Sequence, residues 1–297
     1  MSLNDAELRM STHFALEHGV KYKWPGQHTT ANFKSAPFAS YVHANSSVGW
    51  SELPWRHSHE RPTLVAGAFA AGRAKSGRNA AYAQMVSQRK ALIDSCRNAS
   101  VAECAFVGVD PRAADVSEWV PRRKSKEERH GAALAQAPAG TPMVVQVARL
   151  YYQSVFCLQP VGDACTRKGQ IDALLLGCIP VLLHTCQLLQ WPWHWGSWFR
   201  NATVFFDLDD VVSGRVDVVS ALRAIPAAEV ARMQPTIARH AHCMHYFYPD
   251  TGHPKESGTQ SKPTFVSSRR DAFDIALHGA WLLSRGEEVG VGGGLCE

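Results

Sequence analysis

The sequence predicts an α/β protein in which two Rossmann-like domains face a cleft. Short apolar segments alternate with helical ones between residues 60 and 246, and this alternation is typical of parallel sheets covered by helices on both faces. A stretch that contains proline and glycine at residues 137–142 divides the pattern into two units. The cleft between two such units is the expected ligand site.

The first unit follows an irregular segment. Residues 1–60 are rich in His, Ser, Pro and Trp without a sustained hydrophobic period, so neither helix nor strand is predicted there. Residues 63–70 form an apolar run that predicts a buried strand. A helix is predicted at 81–96, where apolar residues share one face, and a second short strand at 103–109.

The second unit has the same alternation. Buried strands are predicted from its short apolar runs at residues 155–158, 179–183 and 204–208. Helices are predicted at residues 144–152, 170–176, 216–224 and 229–246. Gly177 follows one of these helices, as is common for the residue that ends a helix.

Composition excludes several classes of protein. Of 297 residues, 45% are hydrophobic and 19% are charged, which is too apolar for a disordered chain. The longest apolar run, residues 173–183, is shorter than the roughly 20 residues of a membrane span, and the N-terminus lacks the apolar run of a signal peptide. The net charge is +5, and the basic run at 122–129 is interrupted by glutamates, so a solvated face is preferred over a nucleic-acid site.

Two features nevertheless suggest the secretory pathway. N-x-S/T sequons begin at Asn45, Asn98 and Asn201. Eight cysteines are present, and Cys96 and Cys104 are close enough in sequence to close a loop by a disulfide. Buried free thiols are an equally good reading of the cysteines.

The residues best suited to bind an anion lie in one segment. A buried strand ends in a turn at Gly162, and Arg167 and Lys168 stand near the start of the next helix. The free N–H groups of a helix N-terminus together with adjacent cations suit a pyrophosphate. Asp172 lies one turn further on, where a carboxylate can accept two ribose hydroxyls. The alternative is an ordinary strand–turn–helix unit whose basic residues face water.

This segment resembles the core signature of exostosin-type glycosyltransferases. The matching motifs are Ser154-x-Phe156-Cys157-Leu158-x-Pro160-x-Gly162-Asp163, Thr166-Arg167-Lys168, Asp172-Ala173 and Gly177-Cys178-Ile179-Pro180-Val181. Further similarities extend from Arg61-Pro62-Thr63-Leu64 to Asp271-Ala272-Phe273-Asp274, so the resemblance covers about residues 60–280. Many motifs in the same order make the signal specific.

The resemblance implies a GT-B fold with a shortened N-terminal domain. Residues 1–60 would be the irregular segment and 61–142 a partial N-terminal, acceptor-side domain. Residues 143–255 would bind the nucleotide-sugar, and 256–297 would be a closing helix and a flexible glycine-rich tail. The implied reaction is inverting transfer of a hexosyl or pentosyl group from a UDP-sugar to a glycan or glycoprotein acceptor, in the Golgi lumen.

The resemblance also implies individual roles. Gly162 would form the phosphate turn, Arg167 would bind the pyrophosphate, and Lys168 would be a weaker second phosphate ligand. Asp172 would bind the ribose.

Three further residues complete the implied site. Ser154 and Asp163 would shape the same pocket, and Arg89 would add a phosphate contact from the first unit. No tightly bound cofactor and no divalent metal is implied, because Arg167 and the helix terminus would stabilise the departing UDP. No residue is assigned as the base that deprotonates the acceptor.

Other constellations are weaker. Histidine and cysteine at residues 240–245, histidine at 57–60 and the Asp207-Leu208-Asp209 pattern could bind a metal, but none has the ligand spacing of an established site. The tryptophans at 191, 193, 195 and 198 could either stack on sugars or pack in the core.

Two other functions compete with the enzyme. The first is a non-catalytic relative that forms a homo- or hetero-oligomer and stabilises an active transferase, and the short N-terminal half favours it. The second is a nuclear or cytosolic metal-binding protein with reduced cysteines and unused sequons.

Overall fold

The computed structural model describes residues 13–15, 33–40, 42, 50–70, 80–108, 111, 141–162, 165–247, 270–287 and 294–296. The predictions for Asn45, Asp163 and the basic run at 122–129 fall outside these residues. Within the described part, no helix is long and apolar enough to cross a membrane.

Seven strands are described. They are β1 (His13–Ala15), β2 (Phe33–Ser35), β3 (Thr63–Gly67), β4 (Cys104–Phe106), β5 (Ser154–Gln159), β6 (Ile179–Leu182) and β7 (Val204–Phe205). β1 and β2 form a parallel pair in the segment predicted to be irregular, and they were missed because neither lies in a sustained apolar run. The other five strands form one parallel sheet in the order β4-β3-β5-β6-β7.

The helices lie between and after these strands. They are α1 (Ala80–Ser95), α2 (Met143–Tyr152), α3 (Lys168–Leu175), α4 (Thr185–Leu188), α5 (Pro192–Trp195), α6 (Leu208–Val212), α7 (Val218–Arg223), α8 (Ala227–His240) and α9 (Ala272–Ser284). The helix predicted at 229–246 is α8, which ends earlier than expected, at His240. A 3₁₀ turn at Ala241–Met244 follows it.

The sheet joins strands from both predicted units. β3, from the first unit, pairs directly with β5, from the second, with Val65 opposite Phe156 and Gly67 opposite Leu158. The boundary predicted near residue 142 therefore does not separate two sheets. The mixed α/β class with a parallel sheet is confirmed, whereas the two-domain arrangement stays a prediction.

Alternating side chains of the strands bury apolar surface on both faces of the sheet. Val65, Phe156 and Leu158 contribute to the larger core cluster, which also contains Trp191, Trp195 and Trp198. Ala66 and Cys157 contribute to the opposite cluster with Leu150 and Tyr151 of α2. The small residues on this second face allow α2 to pack closely, and this packing brings Tyr151 to the end of the sheet where β5 terminates.

Four disulfides use all eight cysteines. The structure joins Cys96 to Cys104, the pair predicted to close a loop, and also joins the pairs Cys157–Cys178, Cys165–Cys186 and Cys243–Cys296. The reading of these cysteines as free thiols is wrong, because no cysteine is free. Disulfides at this density are typical of an oxidising compartment.

The tryptophans near α5 pack in the core. Trp191, Trp193, Trp195 and Trp198 are each at most 3% exposed, so they cannot form a surface on which an acceptor sugar stacks. The ring of Trp195 lies about 5–6 Å from those of Trp191, Trp198 and Phe199, and Trp193 packs in a separate cluster with Cys243 and Ile275.

Candidate functional site

A cleft of about 770 Å³ opens at the carboxyl ends of β3 and β5. Strand order reverses between these two strands, since β4 lies on the outer side of β3 and β6 on the outer side of β5. In open parallel sheets, ligands bind at such a reversal because the loops after the two strands diverge there. The topology therefore places a ligand site at this cleft.

Two arginine side chains converge on Gly162 in the cleft. A Cβ atom on Gly162 would lie 3.3 Å from Cγ of Arg167 and 3.7 Å from Nη2 of Arg89. Glycine at this position thus gives both arginines room beside the backbone of the β5–α3 loop. Arg89 was predicted from the first unit and the other two residues from the second, and the structure brings all three together.

Backbone carbonyls hold both guanidiniums in place. Arg89 donates to the carbonyl oxygens of Ala70 at 3.1 Å and Val161 at 3.2 Å, and Arg167 donates to that of Ala68 at 3.3 Å. These carbonyls belong to the loops that follow β3 and β5. The arginines therefore link the two loops while remaining in the cleft lining.

Arg167 also stands at the N-cap of α3, in extended conformation. Burial lowers the pKa of its guanidinium, while Tyr151 and Asp172 raise it, and an arginine remains charged at neutral pH. Its charge adds to the positive end of the α3 dipole. An anion in the cleft would meet two arginines and a helix N-terminus.

Tyr151 is a cleft residue that sequence reasoning missed. Its side chain is 1% exposed, and its hydroxyl accepts a hydrogen bond from Gln159 Nε2 at 3.3 Å. Burial raises the pKa of Tyr151. Gly169 lies close to both groups, since a Cβ there would be 3.1 Å from Gln159 Oε1 and 3.5 Å from the Tyr151 hydroxyl. The sequence signal that could have indicated Tyr151 was a tyrosine near the end of a predicted helix, because a buried tyrosine hydroxyl usually has a hydrogen-bond partner.

The Asp172 carboxylate is held on both oxygens. Ser40 Oγ donates to Oδ1, and the Lys168 ammonium donates to Oδ2 one helical turn away. Lys168 thus directs its charge to Asp172 in this structure. Thr166 is a further polar residue of the lining that was not predicted.

The opposite wall of the cleft is apolar. Met143 and Val144 are 56% and 41% exposed at the start of α2. Val42 and Val147 also contribute to this wall, whereas the apolar lining residues Tyr82 and Met85 lie on α1 together with Arg89. A cleft with one apolar and one cationic wall suits a ligand that has a flat ring at one end and phosphate at the other.

The predicted site residues do not all reach the cleft. Gly162, Arg167, Lys168, Asp172 and Arg89 line it. Asp163 lies outside the described residues.

Ser154 is elsewhere, so its predicted place in the pocket is wrong. It lies at the first residue of β5, roughly 16 Å along the strand from the end at the cleft. Its hydroxyl donates to the carbonyl of Leu150 at 2.6 Å.

Arg61 has a structural role. Its guanidinium donates to the carbonyls of Tyr152 at 2.6 Å and Leu176 at 3.0 Å, among others, and so binds the C-terminal ends of α2 and α3. Burial lowers its pKa to about 10. Gly177 has φ +69° and lies so close that a Cβ there would be 2.5 Å from Arg61 Nη2, which explains the glycine that ends α3.

The weaker metal candidates have other uses. Asp207 caps α6 by accepting from the N–H groups of Asp209 and Asp210. The one grouping of possible ligands in the described part of the chain combines His242 with Cys243 and Cys296, whose sulfurs form a disulfide. Two of the histidines at this helix end are buried, since His242 and His245 are 7% and 1% exposed.

Comparisons with known proteins agree with these observations. A model of the Exostosin GT47 domain matches residues 11–222, beginning and ending earlier than the resemblance predicted at 60–280. Three similar proteins come from Arabidopsis thaliana. Xyloglucan galactosyltransferase MUR3 is 27% identical over 195 residues, or 64% of this chain and 25% of that protein.

The other two relatives have related names. Xyloglucan-specific galacturonosyltransferase 1 is 30% identical over 192 residues, or 64% of this chain and 23% of that protein. Probable xyloglucan galactosyltransferase GT15 is 24% identical over 253 residues, or 84% of this chain and 44% of that protein. The chain thus spans less than half the length of each relative.

Proposed function

Since the chain belongs to the Exostosin GT47 domain family, we propose that it is an inverting glycosyltransferase that uses a UDP-sugar donor. The relatives' names guide the choice of substrates. The donor would supply a galactosyl or galacturonosyl group, and the acceptor would be a glycan of the xyloglucan type. A glycoprotein acceptor is the broader alternative.

The convergence of Arg89 and Arg167 on Gly162 is the observation that supports the donor site. The Arg89 guanidinium and the aliphatic part of the Arg167 side chain both lie within about 4 Å of the position of a Cβ on Gly162, and the Arg167 guanidinium donates to the carbonyl of Ala68 in the neighbouring loop. The N-terminus of α3 begins directly after Arg167. A pyrophosphate placed there would receive charge-assisted hydrogen bonds from both sides.

The same groups would assist catalysis. Negative charge develops on the departing UDP in the transition state, and fixed cations in a partly dehydrated cleft stabilise this charge. Arg89 and Arg167 are oriented in advance by the carbonyls of Val161 and Ala68. We propose that these arginines stabilise the leaving group without a divalent metal.

The uracil ring would contact the apolar wall. Met143, Val144 and Val147 lie on α2, across the cleft from the arginines of the cationic wall. Asp172 would then accept the ribose hydroxyls between base and phosphate. We propose that the acceptor and the catalytic base are provided by a facing domain in a GT-B arrangement.

A non-catalytic role is the second candidate, and one observation favours it. Among the described residues that line the cleft, Asp172 is the sole carboxylate and no histidine is present. Ser40 and Lys168 already engage that carboxylate. A nucleotide-binding partner that stabilises a related transferase would need no base.

We propose the Golgi lumen as the location. Four disulfides require an oxidising compartment to form and persist. Asn98 and Asn201 are exposed, as acceptors of N-linked glycans must be.

Calorimetric titration of UDP, UDP-galactose and UDP-galacturonic acid tests the proposal. We expect micromolar affinity that EDTA does not change and that Arg167→Ala weakens by at least tenfold. Arg223→Ala is the matched control, because Arg223 pairs with Glu103 on the surface. A folded protein that binds none of the three ligands would contradict the donor site. Binding without transfer to xyloglucan oligosaccharides would favour the non-catalytic role.

A further inference from the structure

The segment formed by residues 36–40 and 42 contributes to the cleft from far away in the sequence. Val42 is part of the apolar wall, and Ser40 hydrogen-bonds to Asp172, 132 residues further along the chain. We infer that Ser40 is a positioning residue of the donor site, which orients the Asp172 carboxylate for the ribose hydroxyls of the nucleotide. This inference rests on the proposed function.

The Ser40 hydroxyl is fixed in one orientation. It donates to Asp172 Oδ1, and its oxygen accepts from the backbone N–H of Val42 at 2.8 Å. Ser40 and Asp172 are 6% and 7% exposed. A buried hydroxyl that both donates and accepts a hydrogen bond is held more firmly than an exposed one. The protein therefore determines the direction of the bond to Asp172.

The segment itself is fastened at two other points. The backbone carbonyl of Val42 lies 3.1 Å from Nε2 of His245, and that of Pro37 accepts from the Tyr246 hydroxyl at 2.9 Å. Both partners follow α8 and lie outside the cleft lining. The position of Ser40 is therefore set independently of the cleft, as a positioning group requires.

The two contacts leave Asp172 able to bind a ligand. Each carboxylate oxygen can accept more than one hydrogen bond, and Ser40 and Lys168 use one acceptor position on each. With both oxygens held, the plane of the carboxylate is fixed. Without Ser40, the carboxylate would be free to turn toward Lys168, and its match to a pair of neighbouring hydroxyls would weaken.

Ser40→Ala tests this role by comparing two ligands, UDP and inorganic pyrophosphate. Pyrophosphate has no ribose and would contact Arg89, Arg167 and the N-terminus of α3, but not Asp172. We expect Ser40→Ala to weaken UDP binding about five- to tenfold, less than the loss of a direct hydrogen bond to a charged group, because Ser40 acts on the ligand through Asp172. Pyrophosphate affinity should change less than twofold.

Ser95→Ala is the matched control. Ser95 Oγ also donates to an aspartate far away in sequence, Asp217, at 2.8 Å, but neither residue lines the cleft. The Ser95→Ala variant should therefore bind UDP and pyrophosphate as tightly as the wild type does. Ser40→Cys keeps the size of the side chain and is a weaker donor, so its UDP affinity should lie between wild type and Ser40→Ala, whether or not the alanine variant folds.

The outcomes separate the inference from the proposed function. Equal losses for UDP and pyrophosphate, an unchanged UDP affinity or a tighter one in a folded Ser40 variant would overturn the positioning role while leaving the nucleotide site intact. If the wild-type protein binds pyrophosphate but not UDP, the proposed function fails, and the positioning role fails with it.

Discussion

The Cγ atom of Arg167 lies 3.3 Å from the point where a Cβ on Gly162 would stand. A Cβ at this distance would be closer than an ordinary van der Waals contact, so the Arg167 side chain would have to move. The position of Arg167 beside the loop after β5 thus depends on the absence of a methyl group at residue 162.

Gly162→Ala should therefore weaken UDP binding more than it weakens the fold. We expect a loss of about three- to tenfold in UDP affinity, because the guanidinium of Arg167 shifts away from its site. The thermal midpoint should fall by only a few degrees, as about 1 kcal/mol is involved. Calorimetry and thermal unfolding of the same sample measure both. An unchanged affinity would mean that Arg167 is not a phosphate ligand.

The disulfide between Cys165 and Cys186 should support the same site. It joins Cys165, the residue before Thr166, to α4. Its two cysteines are 21 residues apart in sequence, as are Cys157 and Cys178. Loop-closure entropy predicts a similar cost of about 3 kcal/mol for losing either bond. We expect the double alanine variant of Cys165 and Cys186 to lower UDP affinity as well, since Arg167 is only two residues away.

The Cys157–Cys178 pair is the control for this experiment. It joins β5 to the residue that precedes β6, so its loss should reduce stability without a specific effect on UDP. Urea unfolding and calorimetry compare the two double variants. Equal effects on UDP would show that Cys165 has no special relation to the cleft.

His194 should make stability depend on pH. It is fully buried, with Nε2 2.9 Å from the carbonyl of Ala272, and burial lowers its pKa from 6.5 to about 4. The unfolded chain therefore binds a proton that the folded chain does not, so stability falls as the pH drops below about 6.5. At pH 5 the proton bound by the unfolded chain lowers the free energy of unfolding by about 2 kcal/mol.

His194→Gln should reduce that pH dependence. Glutamine can still donate to Ala272 but does not titrate. The free energy of unfolding, measured in urea between pH 4 and pH 7, should show a smaller slope in the variant than in the wild type. Parallel curves would contradict a neutral His194 in the folded state.

Arg61→Met should destabilise the protein by about 3 kcal/mol. The substitution removes the side-chain donor to the carbonyl of Leu176 and one of the two side-chain nitrogens beside the carbonyl of Tyr152, the other being Nε2 of His59. Arg61→Lys should be intermediate, since an ammonium cannot reach all of these acceptors at once. Urea unfolding measures the loss. A change below 1 kcal/mol would show that water replaces the guanidinium.

The sequons give a test of location. Asn98 and Asn201 are exposed, and we expect both to be glycosylated when the chain is expressed in a secretory host. Mass spectrometry before and after glycosidase treatment, with Asn98→Gln and Asn201→Gln as controls, detects each glycan. An unmodified chain with reduced cysteines would support the cytosolic metal-binding alternative.

Much of the local structure follows from the sequence. Periodicity predicts α1, α2 and α3, and short apolar runs predict the five strands of the sheet, because burial imposes a pattern on neighbouring residues. The segment that contains β1 has no such run, and the four residues of α5 are too few for a helical repeat. Gly162, Arg167 and Asp172 are neighbours in sequence, and all three line the cleft; their role in binding an anion stays a prediction.

The sequence by itself determined the α/β class, the resemblance to a glycosyltransferase family and the segment at residues 162–172 that lines much of the cleft. Only the tertiary structure decided that β3 pairs with β5 in one sheet, that Ser40 reaches Asp172 and that Ser154 lies at the far end of its strand. The reason is physical. Local patterns report the environment of a residue along its own helix or strand, whereas pairing between distant segments depends on which surfaces fit together in three dimensions.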